Sequence, residues 1–242
     1  METGDIMNLI ISGLNKSFPG VDLYRDFQIE FRERRITGIM GPSGCGKTTL
    51  LNMITGAVAP DSGEFLGLAG KRVSCIFQEP RLLPWKTVSE NVEFVLKDLF
   101  SKNDRNKIVS DLLKMVSLGE FAGHYPREIS SGMRQRAAAA RAFAYPSDIL
   151  VMDEPFRALD LKLKRSLIES FRKLWDTDRR TVVFVTHDVD EALLLCDEIY
   201  IFSGPPVRII KRIAVTLSDG EYFPEDSLRE AVKNEIYHCM KG

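Results

Sequence analysis

The run ITGIMGPSGCGKTTLLNMITG, residues 36–56, constrains this chain more than any other stretch. An apolar segment of strand length leads into a glycine-rich turn, and a leucine-rich segment of helical character follows. The spacing Gly41-x4-Gly46-Lys47-Thr48 is that of a loop whose glycines let backbone N–H groups turn inward around phosphate oxygens. The helix that follows adds the positive end of its dipole to the same place. Gly41, Pro42, Ser43, Gly44, Cys45, Gly46, Lys47, Thr48 and Thr49 are therefore candidate nucleotide-binding residues. Lys47 is placed to reach the β- and γ-phosphates, and the Thr48 hydroxyl to ligate Mg²⁺. An ordinary glycine-rich turn is the plain alternative, and the strand, loop and helix context tells against it.

A strand feeding such a loop demands partners in a parallel sheet, and the chain supplies them. RRITGIMG, RVSCIFQ, DILVMDEP, TVVFVTHD and EIYIFSG recur as β-rich runs between helical patterns. NLIISGLNKSF and DFQIEF, near the N-terminus, read as additional antiparallel strands. From about Pro84 to Tyr145 the pattern is helical without obvious strands. The expected fold is α/β: a P-loop (RecA-like) core with a mostly parallel sheet, an N-terminal antiparallel β subdomain and an inserted helical subdomain. The expected organisation is one domain over 1–242, with 1–85 and 146–242 forming the nucleotide-binding core and β subdomain, and 86–145 the helical insertion. PEDSLREAVKNEIYHCM reads as a terminal helix.

With 242 residues, 44% hydrophobic and 28% charged, the chain can bury a substantial core. Its formal net charge of −1 gives no basic excess to argue for nucleic acid or an anionic lipid surface, and no nucleic-acid partner is expected. Cys45, Cys75, Cys196 and Cys239 form no C-x-x-C pair and have no histidine at metal-ligand spacing, which fits a reducing cytosol better than a disulfide framework or a zinc site. The N-terminus lacks the pattern of a secretion signal, and no stretch approaches about 18 consecutive apolar residues. A membrane role is expected only through a partner.

Further candidates lie at the ends of other runs. In DILVMDEPFRALD, Ile149 to Met152 read as a buried strand that delivers Asp153 and Glu154 to the edge where α/β folds place ligands. Asp153 suits Mg²⁺, and Glu154 suits polarising an attacking water. A solvated acidic turn is the alternative reading of that pair in isolation. His187 ends another apolar strand, where it is read as a γ-phosphate contact, and Gln78 follows RVSCIF, where its amide can reach metal or water. ISSGMRQRAAAARAF, residues 129–143, carries no catalytic constellation, yet it places two serines and a glycine at the start of a segment with strong helix propensity.

Together these segments resemble the ATP-binding subunit of ABC transporters over nearly the whole chain. The order carries the resemblance: GPSGCGKTT as Walker A, FQEPRLLPW as the Q-loop, ISSGMRQR as the signature, ILVMDEP as Walker B, ALD as the D-loop and THD as the H-loop. FQEPRLLPWKTVSENV, GMRQR and MDEPFRALD look more narrowly like the importer group serving nitrate, sulfonate, taurine and related solutes.

The resemblance implies an Mg²⁺-dependent ATPase that dimerises head to tail on ATP. Ser130, Ser131 and Gly132 would face the γ-phosphate held by the partner's Walker A, with Ile129 packed beneath and Asp160 of ALD adjoining the nucleotide. Glu154, His187 and Gln78 would be the catalytic group; Thr48, Gln78 and Asp153 would hold the metal. Phe18 takes the adenine-stacking position, with Tyr24 as second choice. Ser131 stands where the family usually has glycine, and its Cβ is expected to crowd the phosphate or oppose a positive φ. Met133 replaces a common glutamine, and Arg157 stands in place of a frequent glycine, at the expected dimer seam.

Implied partners are a second copy, transmembrane permease subunits and, indirectly, a solute-binding protein, at the cytoplasmic face of the membrane. Leu82, Leu83 and Trp85, set among prolines, are the expected docking residues. Two other classes share the phosphate loop: a soluble ABC-type ATPase of DNA repair or translation, which usually carries coiled-coil or zinc insertions, and a P-loop kinase or switch, which lacks ISSGMRQR and THD. Neither set of features matches this chain.

Overall fold

The computed structural model describes residues 8–157, 161–215, 230, 232–236 and 239, with backbone only at 161–163. They fall into two compact units, residues 1–73 with 180–242, and residues 74–179.

In the first unit the phosphate-loop sequence follows β3 (Ile36–Met40), all five residues of which are buried. Such unbroken burial is what a strand covered on both faces requires. β3 runs parallel to β7 (Thr181–Val185) and to β8 (Glu198–Phe202), and β8 pairs antiparallel with β9 (Ile209–Ala214), giving the order β7-β3-β8-β9. Thr181–Val185 and Glu198–Phe202 are also buried throughout. α1 (Lys47–Ile54) follows the loop, and α6 (Val189–Leu195) follows β7.

A separate antiparallel sheet, in the order β2-β1-β4, joins β1 (Leu9–Phe18), β2 (Val21–Phe31) and β4 (Ser62–Leu66). Phe27, Ile29 and Phe31 of β2 are buried, as period-two alternation demands of a sheet with one face on the core. The two N-terminal runs thus form the expected antiparallel strands. β4 and β9 were not anticipated, because neither SGEFL nor IIKRIA shows an apolar stripe: most of their side chains face outward.

The second unit contains β5 (Val73–Ile76), apart from its first residue, beside β6 (Ile149–Asp153), with α2 (Val88–Glu93), α3 (Lys102–Met115), α4 (Ser131–Ala144) and α5 (Leu161–Asp178). The long strandless stretch is helical as expected. Thr87 and Glu90 cap α2 reciprocally, and Ser101 caps α3. The alanine-rich α4 packs against α2, α3 and α5, since its small side chains permit close approach on several sides.

One polar group is set deep in the first unit's sheet. Glu198 is 5% exposed, yet its carboxylate accepts from Thr37 Oγ1 at 3.2 Å and from Arg212 Nε at 2.8 Å. Arg212→Met would take away the charged partner of that carboxylate and leave the Thr37 hydroxyl as its donor among the described residues. Because Arg212 is itself partly exposed, the expected loss is about 1–3 kcal/mol rather than that of a fully buried pair. Urea unfolding of the variant measures it.

Candidate functional site

The loop from Gly41 to Gly46 owes its shape to what surrounds it. A Cβ at Gly41 would lie 2.9 Å from the Phe202 carbonyl oxygen, so only glycine lets the chain pass β8 this closely. Gly46 has φ 106°, and a Cβ there would meet Leu23 and the Tyr24 hydroxyl at 3.1 Å. Tyr24, 1% exposed, donates its hydroxyl to the Gly46 carbonyl at 3.0 Å, and burial pushes its phenol pKa upward, which keeps the donor protonated. Tyr24 is thus a core residue that holds the loop.

Lys47 begins α1 and turns its ammonium back over the loop. Nζ donates to the Gly41 and Pro42 carbonyls, each at 2.8 Å, and lies 3.7 Å from Cys45 Sγ. The side chain is buried, while Pro42, Ser43, Gly44 and Thr48 are exposed and Thr49 half-buried. The N-cap is Gly46, which has no side chain to cap the start of α1. A centred cation, a helix start and an exposed glycine backbone are what a polyphosphate needs.

His187 emerges from the same sheet edge, because β7 and β3 are parallel and Val185 lies opposite Ile39. Its neighbours are fixed. Buried Thr186 donates to Glu191 Oε2 at 2.5 Å and accepts from Asp188 N at 3.1 Å, and Asp188 caps α6 through Asp190 N and Glu191 N. His187 is left exposed on a rigid turn. Phe18, at the end of β1, is 45% exposed, with the Lys16 ammonium 5.3 Å from its ring centroid.

In the second unit, β6 buries Ile149 to Met152 and ends at Asp153. Glu154 follows in the left-handed region, φ 45°, a conformation that costs a residue with a Cβ about 1 kcal/mol or more. The turn closes on itself: Arg157 N donates to the Glu154 carbonyl at 3.2 Å, and Arg157 Nη1 meets Glu154 Oε2 at 3.1 Å. Gln135 of α4, 6% exposed, donates Nε2 to the Pro155 carbonyl at 2.5 Å and reaches the Phe77 carbonyl, next to Gln78, at 3.4 Å. One amide thus ties α4, the turn carrying Glu154 and the backbone leading to Gln78.

Ser130 is exposed and caps α4, its hydroxyl accepting from Met133 N at 3.2 Å; Ile129 is buried and Gly132 lies within the helix. Ser131 does not take the positive φ that was one of its two expected difficulties. It is the first residue of α4 and is absent from the positive-φ residues, so its backbone has no need of glycine there. Asp160 lies outside the described residues.

The loop after Gln78 is anchored by residues that sequence reasoning passed over. Arg141 donates to the Pro80 and Arg81 carbonyls, both at 2.9 Å. Asn91, fully buried, bonds both the N–H and the carbonyl of Leu83 and also the Lys86 and Thr87 carbonyls. A polar amide between the apolar Val88 and Val92 was the available signal. Leu82 and Leu83 are half-buried, whereas Trp85 is 70% exposed.

A family model for the ABC transporter domain matches residues 24–157, more than half of the chain. An uncharacterized ABC transporter ATP-binding protein of Methanocaldococcus jannaschii is 41% identical over 200 residues, 79% of this chain and 74% of that protein. The aliphatic sulfonates import ATP-binding protein SsuB of Bacillus cereus is 35% identical over 98% of this chain and 97% of its own. The taurine import ATP-binding protein TauB of Yersinia pestis is 33% identical over 94% and 91%. Among solved structures, a dimeric post-hydrolysis state of the ATP-binding cassette MJ0796 bound to ADP and Pi superposes with a TM-score of 0.73 at 28% identity, covering 86% of this chain and 99% of that one. With the phosphate loop, the β6 acidic pair and the capped α4 in the order that domain requires, the chain belongs to the ABC transporter family, as one of its ATP-hydrolysing cassettes.

Proposed function

We propose that the chain powers an importer for a small anionic or zwitterionic solute of the nitrate, sulfonate and taurine kind, two copies closing head to tail on ATP. The observation that carries the ATP chemistry is the Lys47 ammonium seated on the loop carbonyls at the head of α1. Phosphate oxygens exchange with those carbonyls for the ammonium, and the loop N–H groups complete the cradle. Phe18 stacks on adenine, a role its 45% exposed ring at the end of β1 supports.

Thr48, Asp153 and Gln78 present only oxygen donors, the hard set that Mg²⁺ prefers, and they would hold it together with phosphate oxygens. When bound, Mg²⁺ neutralises charge on the β- and γ-phosphates. Glu154 accepts a proton from the attacking water, and His187 donates to or orients the γ-phosphate, its exposed ring projecting from a turn locked by Thr186 and Asp188. Ser130, Ser131 and Gly132 face the γ-phosphate of the second copy, and Asp160 adjoins the shared nucleotide. The solute-import assignment rests on the SsuB and TauB relatives, whose similarity runs nearly end to end.

The two segments 1–85 and 146–242 serve as nucleotide-binding core and β subdomain, and 86–145 as the helical arm that carries the signature. Among the described residues no helix is long and apolar enough to cross a membrane. The chain works at the cytoplasmic face through permease subunits, and a solute-binding protein engages only them. Trp85, exposed on a loop pinned by Asn91 and Arg141, is the anchor for the permease.

Glu154→Gln should retain ATP binding while slowing steady-state hydrolysis by at least about a hundredfold, the scale of a lost general base. Turnover near that of the native chain would remove Glu154 from the chemistry. Trp85→Ala should abolish copurification with the permease without altering ATP affinity or thermal midpoint, because the removed side chain supports nothing in the core. Retained copurification would exclude Trp85 as the anchor.

A further inference from the structure

We propose that Arg157 is a positioning residue that restrains Glu154 and so holds down hydrolysis between productive encounters, an inference that rests on Glu154 being the base. The turn after β6 brings the two together by its backbone, since Arg157 N donates to the Glu154 carbonyl at 3.2 Å. The guanidinium then meets Glu154 Oε2 at 3.1 Å. The carboxylate side chain is 18% exposed and the arginine side chain 53% exposed.

Three features make this pair a restraint rather than a structural brace. First, the turn has other fastenings, namely its own backbone bond and the Gln135 amide on the Pro155 carbonyl, so its shape does not depend on the ion pair. Second, a carboxylate oxygen engaged by a guanidinium offers less of its lone-pair density to a water, and swings less freely towards one. Third, the arginine is open to solvent on its far side, which keeps the pair weak enough to open in each cycle. A pair of that exposure can withhold no more than a few-fold of the base's activity.

The test is a double-mutant cycle on the full-length chain, with kcat and KM for ATP and the thermal midpoint measured for each variant. Arg157→Gln keeps length and polarity without the charge. It should raise kcat about two- to fivefold with KM and thermal midpoint unchanged, whereas Arg157→Lys, which retains a cation, should stay near the native rate. In the Glu154→Gln background the same Arg157→Gln change should do nothing, because there is no carboxylate to release. An unchanged or lowered kcat in Arg157→Gln overturns the restraint, as does an equal gain in both backgrounds. If Glu154→Gln alone keeps native turnover, the assignment of the base falls and the restraint with it; if Glu154→Gln is inactive and Arg157→Gln has the native kcat, only the restraint falls.

Discussion

A lysine ammonium buried among the carbonyls of its own loop is the contact around which the first unit is organised. Burying a cation is unfavourable unless acceptors meet it at hydrogen-bond distance, and Gly41 and Pro42 supply two at 2.8 Å. Those carbonyls point inward only because the loop is tightly bent, and the bend depends on glycine at two places where a Cβ would strike Phe202 or Leu23 and Tyr24. The neighbours are in turn set by β3 lying between β7 and β8, and by β2 presenting Tyr24 from the antiparallel sheet. The antiparallel subdomain therefore supports the phosphate loop through the Tyr24 hydroxyl.

The second unit uses neutral amides and a guanidinium for the same purpose. Gln135 joins the signature helix to the Glu154 turn and to the approach to Gln78; Arg141 and Asn91 fix the loop that follows. Gln135 and Asn91 are buried amides whose removal would leave backbone carbonyls unsatisfied, and Arg141 makes the same kind of bond from a half-buried position. Gln135 thus bonds α4 directly to the residue that follows Glu154.

Where one residue type has one physical purpose, the sequence was readable. Gly41, Gly46 and Lys47 admit few uses other than a phosphate loop, four-residue apolar runs such as ILVM and VVFV must be buried strands, and Ser130 before an alanine-rich run must cap a helix. β4 and β9 escaped because edge strands lack an apolar stripe, and Gln135, Asn91 and Arg141 escaped because their partners are backbone carbonyls distant in sequence or hidden by the fold. The positive φ that was one alternative at Ser131 does not occur, because the helix begins at that residue and its backbone is helical. Arg157 was read only for a place near the seam between copies; its ion pair with Glu154, three residues back on the same turn, depends on a left-handed residue that sequence does not announce.

The central claim is that each ATP is held by Lys47 of one copy and by Ser130 of another. Structure determination of the Glu154→Gln chain with ATP and Mg²⁺ tests it most directly. The expected result is a head-to-tail pair in which each γ-phosphate lies within hydrogen-bond reach of Lys47 Nζ from one copy and of Ser130 from the second. A nucleotide contacted by one copy alone, with Ser130 of the second turned to solvent, would contradict it.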